Sequence, residues 1–307
     1  MTGPRVLFIF LDGVGLGPAD ADHNPFVSAD IPCLMGLMNG QRPVAGVPPL
    51  DSGRARFIPT DACLGVAGAP QSATGQGAIV TGLNVPRLIG EHWGPRPNAA
   101  VADIIRRESL FAKLKARGLE AALLNAYPER YFEAIRSGRR LHSAIPLAVT
   151  AAGIPLLTTD DLRRGRALSA DLTGEGWRTE LGVADVPLLS PAEAGRRLAE
   201  LAGQRAFSFF EYWLTDYAGH RGTLAEACRM LERIDTMLGG LLNAWDAAAG
   251  LIVITSDHGN LEALGHRHHT RHPVPTFVIG ADRAAFAQGI SDLTHFAPAI
   301  LAYLAAA

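Results

Sequence analysis

The sequence predicts an α/β domain with a mainly parallel, buried sheet, and three observations carry the prediction. Short runs of apolar, β-branched and aromatic residues recur along the chain, stretches with helical spacing separate them, and no repeat or low-complexity tract interrupts the alternation. With 307 residues, 48% of them hydrophobic, the chain is long enough to bury a full core.

The first run, "VLFIFLD", ends on Asp12 and is apolar on both of its faces, as a strand covered by helices on two sides must be. Further strands are expected at "EAALLNAY" (120 to 127), "AFSFFEYWL" (206 to 214), "LIVITSD" (251 to 257) and "PTFVIG" (275 to 280). Helices are expected from Asn98 to Arg117, from Pro191 to Ala202 and from Leu224 to Trp245. In the last of these, Leu224, Cys228, Leu231, Ile234, Leu238 and Leu241 recur every three or four positions and form one core-facing stripe. Between Tyr131 and Ser190 the pattern weakens into charged, Gly-containing segments such as "DDLRRGRALSADLTGEGWRTELG". This predicts a small inserted lid or subdomain over about 132–190 within a single domain spanning 1–307.

Basic and acidic side chains nearly cancel, 28 against 30, and the arginines are spread along the chain. Such a balance offers no electrostatic footprint for a nucleic acid or an anionic membrane. Cys33, Cys63 and Cys228 are few and in no metal-like spacing, so they read as reduced thiols. The run "VLFIFL" is too short for a signal-peptide core or a membrane span. These features together predict a cytoplasmic protein whose partner is a small molecule.

The chemistry sits at strand ends. In a parallel α/β sheet the carboxyl ends of the strands line the ligand crevice, so Asp12 and Asp257 can meet there despite their separation in the chain. The turn "GVGLGP" after Asp12 lacks the spacing of a dinucleotide fingerprint. A third strand end, "EYWLTDYAGH", sets Asp216 and His220 four positions apart, which presents a carboxylate and an imidazole to one point. The stretch "SDHGNLEALGHRHHTRHPVP" (256 to 275) adds five histidines. One divalent ion can take Asp216, His220 and His269, and a second can take Asp12, Asp257 and His258. Mixed oxygen and nitrogen donors suit Zn or Mn better than Ca or Mg. His266, His268 and His272 read as polar surface. Ser72, in "PQSATGQGAIVTGLNVP", lies in a small-residue turn ahead of the apolar helix start "GAIVTGL". A serine there is either a cap or a hydroxyl beside an anion site.

Asp12, Ser72, "DYAGH", "SDHGN" and "HTRHPVP" occur in an order that resembles the alkaline phosphatase superfamily of two-metal enzymes. The metal signatures are similar to those of cofactor-independent phosphoglycerate mutase and phosphopentomutase. The stretch around Ser72 resembles the nucleophile region of nucleotide pyrophosphatase/phosphodiesterases, in which nine positions separate the attacking residue from the threonine of "TGL", here Thr81. "DLTHFAPAILAYL" is similar to the superfamily's last strand-and-helix segment. The resemblance implies a three-layer sandwich, two divalent metal ions (Zn or Mn) and a small phosphorylated substrate. It also implies that Ser72 binds one metal and attacks phosphorus to form a phosphoseryl enzyme.

Departures from the resemblance shape the expected activity. The mutases carry a histidine where this chain has Gln76, and they hold a large second domain between nucleophile and second aspartate, where this chain has space for only a small cap. A mutase must retain its intermediate while the substrate turns round, whereas a hydrolase need only admit water. The expectation is therefore a phosphatase or phosphodiesterase, with a phosphomutase, or a non-catalytic metal-bound ligand-binding member, as alternatives. No C/S-x-P-x-R stretch is present, which argues against the sulfatase branch. Gln76, Arg130 and Arg271 are candidates for substrate contact, as are Arg87 and Arg267; Tyr127 and Tyr131 could stack against an aromatic group.

Overall fold

A computed structural model describes residues 3–305. Its strands are β1 (Arg5–Leu11), β2 (Leu50–Asp51), β3 (Ala55–Thr60), β4 (Ala121–Leu123), β5 (Ala126–Tyr127), β6 (Leu157–Thr158), β7 (Phe207–Tyr212), β8 (Gly250–Thr255) and β9 (Val274–Ile279). Seven of them form one sheet in the order β2-β3-β9-β8-β1-β7-β4, while β5 and β6 pair separately. β1 lies in the interior of the sheet, parallel to both β7 and β8, with Phe8 opposite Phe209 on one side and Val253 on the other. β4 continues the parallel set. β9 runs antiparallel to β8, and β3 antiparallel to β9, so the sheet is mixed and largely parallel.

Alternation along β1 sends its side chains into two cores. Val6, Phe8 and Phe10 pack with Phe207, Phe209 and the helices Ser72–Thr81, Ala99–Glu108, Ala144–Ala151 and Phe296–Ala305. Leu7, Ile9 and Leu11 pack on the other face with the helices Pro191–Ala202 and Leu224–Ala244. The result is a three-layer α/β/α sandwich. On the second face Leu231, Ile234, Leu238 and Leu241 are buried, and Leu224 and Cys228 lie at the margin of the stripe. Thr223 and Glu226 form a capping box that starts this helix by satisfying donors the first turn cannot.

Several sequence expectations are corrected. The strand expected over 120 to 127 is two strands: after Leu123 the chain leaves the main sheet, and the Asn125 side chain takes over the pairing with β7, accepting from Glu211 N and donating to its carbonyl. The helix expected from Asn98 to Arg117 breaks at Ser109, which is extended at ψ 128 and donates its hydroxyl to the Ala148 carbonyl. β2 and β3 were not anticipated, because "RARFIPT" carries two arginines and a proline. Pro59 lies beyond the short β2 pairing, where a missing N–H breaks no bond on that side. Ser72 is itself the first residue of a helix that runs through Thr81, all ten residues buried; its small first turn hides it from an apolar pattern.

Packing over 132–190 is divided between the main core and a satellite cluster. Helix Ala144–Ala151 belongs to the main core. Only a satellite cluster of Ala126, Leu162, Ala167, Trp177 and Val186 packs separately. Among the described residues no helix is long and apolar enough to cross a membrane. Cys33, Cys63 and Cys228 are free.

Candidate active site

The carboxyl ends of β1, β7 and β8 share one edge of the sheet. Because β9 is antiparallel, its first residue lies at that same edge, which brings in the loop that precedes it. Asp12 follows β1, Asp257 and His258 follow β8, and His269 comes from the loop before β9. Asp216 and His220 lie one turn apart on the helix Leu214–Arg221. Ser72 opens the helix Ser72–Thr81, where Gly75 leaves no space for a side chain against Asp257, a Cβ there coming within 2.9 Å of the Asp257 Cβ and carbonyl oxygen.

Two groups of donor atoms result. Asp216 Oδ1 lies 3.4 Å from His220 Nε2 and 3.7 Å from His269 Nε2, and the two Nε2 atoms are 3.3 Å apart. His258 Nε2 lies 3.5 Å from Asp12 Oδ1, 3.6 Å from Asp257 Oδ2 and 3.1 Å from Ser72 Oγ. The rings of His258 and His269 stack at 3.7 Å and join the groups. All seven residues expected to bind metal therefore converge. His258 sits close enough to Asp216 and His269 to complete a group with them as well. The division into two triads rests on the short His220 contacts and on Ser72 lying beside His258.

Ring orientation follows one rule. Nδ1 of His220 faces the Arg267 carbonyl at 3.1 Å, that of His269 faces the Pro70 carbonyl at 2.9 Å, and that of His258 faces the Gly259 carbonyl at 3.4 Å. A carbonyl only accepts, so each Nδ1 carries the proton and each Nε2 turns a lone pair to the centre, as metal-ligating imidazoles do. Burial, with help from neighbouring His258, holds His269 down to about 4, and burial lowers His258 as well. Both are neutral near pH 7.

The carboxylates are in the opposite condition. Burial, then the charges of Asp257, Asp216 and Glu211, raise Asp12 well above the carboxylate range. Burial and Asp216 push Asp257 up to about 7. Asp12 Oδ1 is buried and has no hydrogen-bond partner. A buried oxygen left unpaired is costly. Crowded acids facing neutral imidazole lone pairs are a donor set that fits divalent cations.

Of the residues expected to touch substrate, Gln76 is in the site but committed to two candidate ligands. Its Nε2 donates to Asp12 Oδ2 at 3.4 Å and to Asp257 Oδ2 at 3.2 Å, and the residue is buried. Arg130 instead lines an open cleft of about 550 Å³ with Tyr127, Thr158 and Arg163, beside the inserted unit. Arg271 is exposed, two positions beyond His269. The Arg267 backbone, rather than its guanidinium, enters the site, as the acceptor for His220. His266 and His268 are exposed. His272 is not idle surface, since its Nδ1 pairs with buried Glu262 at 3.0 Å.

Three buried polar residues at the site escaped the sequence reading. Glu211 on β7 has an unpartnered Oε2, and burial together with Asp257 pushes its carboxyl up to about 7. Asn260 donates to Asp216 Oδ1 at 2.8 Å. Glu262 is buried among the ligand loops. The available signal for Glu211 was one acid inside an otherwise apolar strand, a residue type almost never buried without a reason.

Residues 189–307 match the model of the metalloenzyme superfamily. The 2,3-bisphosphoglycerate-independent phosphoglycerate mutase of Methylobacillus flagellatus is 32% identical over 127 residues, which cover 38% of this chain and 25% of that protein. The match thus spans about a quarter of that relative's length. Among solved structures, the PH0037 protein of Pyrococcus horikoshii superposes with a TM-score of 0.58 at 16% identity, covering 100% of this chain and 98% of the other. The alkaline phosphatase of the Antarctic bacterium TAB5 gives 0.55 at 11% identity, covering 99% and 98%. The fold is thus an α/β sandwich like that of the alkaline phosphatase structure. Asp12 and Ser72 lie outside the matched region and join the site only through the fold.

Proposed function

We propose that the protein is a divalent-metal-dependent phosphoryl-transfer enzyme in which Ser72 receives the phosphoryl group of a small phosphoester. The observation that carries the proposal is the position of the Ser72 hydroxyl. It stands at the N-terminus of a buried helix, 3.1 Å from His258 Nε2, beside a donor set suited to cations. Asp216, His220 and His269 would hold one ion and Asp12, Asp257, His258 and Ser72 the other, with nitrogen and oxygen donors appropriate to Zn or Mn. Bound there, such ions supply charge neutralisation at phosphate oxygens and acidify a nearby hydroxyl.

The chain's own residues do the positioning. The helix N-terminus favours an anion next to Ser72. Gln76 holds the Asp12 and Asp257 carboxylates toward each other, and the carbonyls behind the three imidazoles fix their rings. Ser72 Oγ attacks phosphorus, the bond from phosphorus to the leaving oxygen breaks, and an acceptor hydroxyl later takes the phosphoryl group.

Two acceptors have support. The name of the curated relative favours a second substrate hydroxyl, as in a mutase. The small inserted unit, whose separate core is five residues, favours water, because little structure is present to retain an intermediate. Purified protein loaded with Mn or Zn, given phosphoglycerates and nitrophenyl phosphates, separates them: isomerised phosphoglycerate without free phosphate identifies a mutase, and free phosphate a hydrolase. Ser72→Ala is expected to lower either activity by at least ~10³-fold while retaining metal. Undiminished phosphoester turnover in that variant would refute the role of Ser72.

A further inference from the structure

The segments after Asp12 and His258 and the loop that carries His269 take separate routes through the fold, yet all three meet at one carboxylate. We propose that Glu262 is the positioning residue that sets the ligand segments in register. The inference rests on the metal-site reading above and adds a residue that contributes no ligand.

The Glu262 side chain is fully buried, and its two oxygens divide the work. Oε2 accepts from Gly15 N at 2.9 Å and Asn260 N at 2.8 Å, tying the segment after Asp12 to the segment after His258. Oε1 accepts from Thr270 Oγ1 at 2.5 Å and His272 Nδ1 at 3.0 Å, which ties in the loop that carries His269. Asn260, fixed through its backbone N–H, donates its side-chain amide to the Asp216 carbonyl and carboxylate, so the helix bearing Asp216 and His220 is reached in one further step. Burial opposes the charged form, but bonds from His272, Thr270 and the backbone outweigh it and hold Glu262 below the usual glutamate range. Its bond raises His272 in turn. Gly15 and Gly259 are glycines for the same reason, since a Cβ on either would run into the Glu262 carboxylate.

This division of labour makes the proposal testable one site at a time. Thr270→Val removes one of the two donors to Oε1 and loosens only the His269 loop, which His272 Nδ1 and the bond from Thr270 N–H to the Gly259 carbonyl still hold. Mn²⁺ titration of the metal-free protein, followed by calorimetry and electron paramagnetic resonance, should show ~10- to 100-fold weaker binding at one of two sites, with the other unchanged. Thr270→Ser, which keeps the hydroxyl, should restore it. Glu262→Gln, which sets an amide against donors, should weaken both sites. Leu241→Ala, a core substitution remote from the edge, should lower stability without moving either affinity. Should wild-type protein bind no Mn²⁺, the metal-site reading itself fails. If wild type binds two ions while Thr270→Val and Glu262→Gln bind them equally well, or if Thr270→Val weakens both sites alike, the positioning role of Glu262 is overturned.

Discussion

Replacing Glu211 with glutamine in the metal-free protein should stabilise it, and by an amount that depends on pH. Glu211 is raised from an ordinary value of 4.5 to about 7, first by burial and then by the charge of Asp257. Between those values the folded state keeps a proton that the unfolded chain releases, so stability falls as pH rises through the window and levels off above about 7. Each pKa unit is worth about 1.4 kcal/mol, which places the cost of ionised Glu211 at roughly 3 kcal/mol by pH 8. Glutamine keeps the shape and cannot ionise. The variant should match wild type near pH 4.5 and exceed it by up to about 3 kcal/mol at pH 8. Part of the slope should persist, because Asp257 is also raised to about 7. Urea unfolding followed by circular dichroism in chelator, from pH 4.5 to 8.5, measures both curves. Parallel curves, or a variant less stable than wild type at pH 8, would show that Glu211 is not a buried charge held against its neighbours.

Other perturbations separate the site from its scaffold. Asp216→Ala should lose the ion assigned to Asp216, His220 and His269 and keep the other, read as a halved metal content by elemental analysis; full content would break that triad. Phe8 is fully buried, stacked on Phe209 at 4.9 Å and edge-on to Phe296 at 5.6 Å. Phe8→Ala should cost about 3–5 kcal/mol in denaturant unfolding, and a loss below about 1 kcal/mol would mean that this face repacks freely.

Much of the site was legible from strand ends. The apolar runs before Asp12 and Asp257 mark buried strands, and the carboxyl edge of a sheet gathers the residues just beyond them. The spacing of Asp216 and His220 is a local property of one helical turn. His269 stands out among the five histidines by its place just before the next apolar run, and the structure supplies the physical reason: that strand is antiparallel, so the loop before it lies at the same edge. Arg130 shows the opposite case. The chain leaves the main sheet after Leu123, and Arg130 lines an open cleft with Tyr127, Thr158 and Arg163, a position that no strand end announces.

The sequence alone therefore determined the layered α/β class, the strands that gather the candidate site and the candidate ligand types, because periodicity and strand-end chemistry belong to single segments. Tertiary structure alone decided which acids share a neighbourhood and what anchors them. Gly15 and Glu262 lie 247 positions apart, and neither segment's pattern encodes the other's contact. Burial turns ordinary residues such as Glu211, Asn260 and Glu262 into determinants of the site, since an oxygen withdrawn from water must find its partner in the fold.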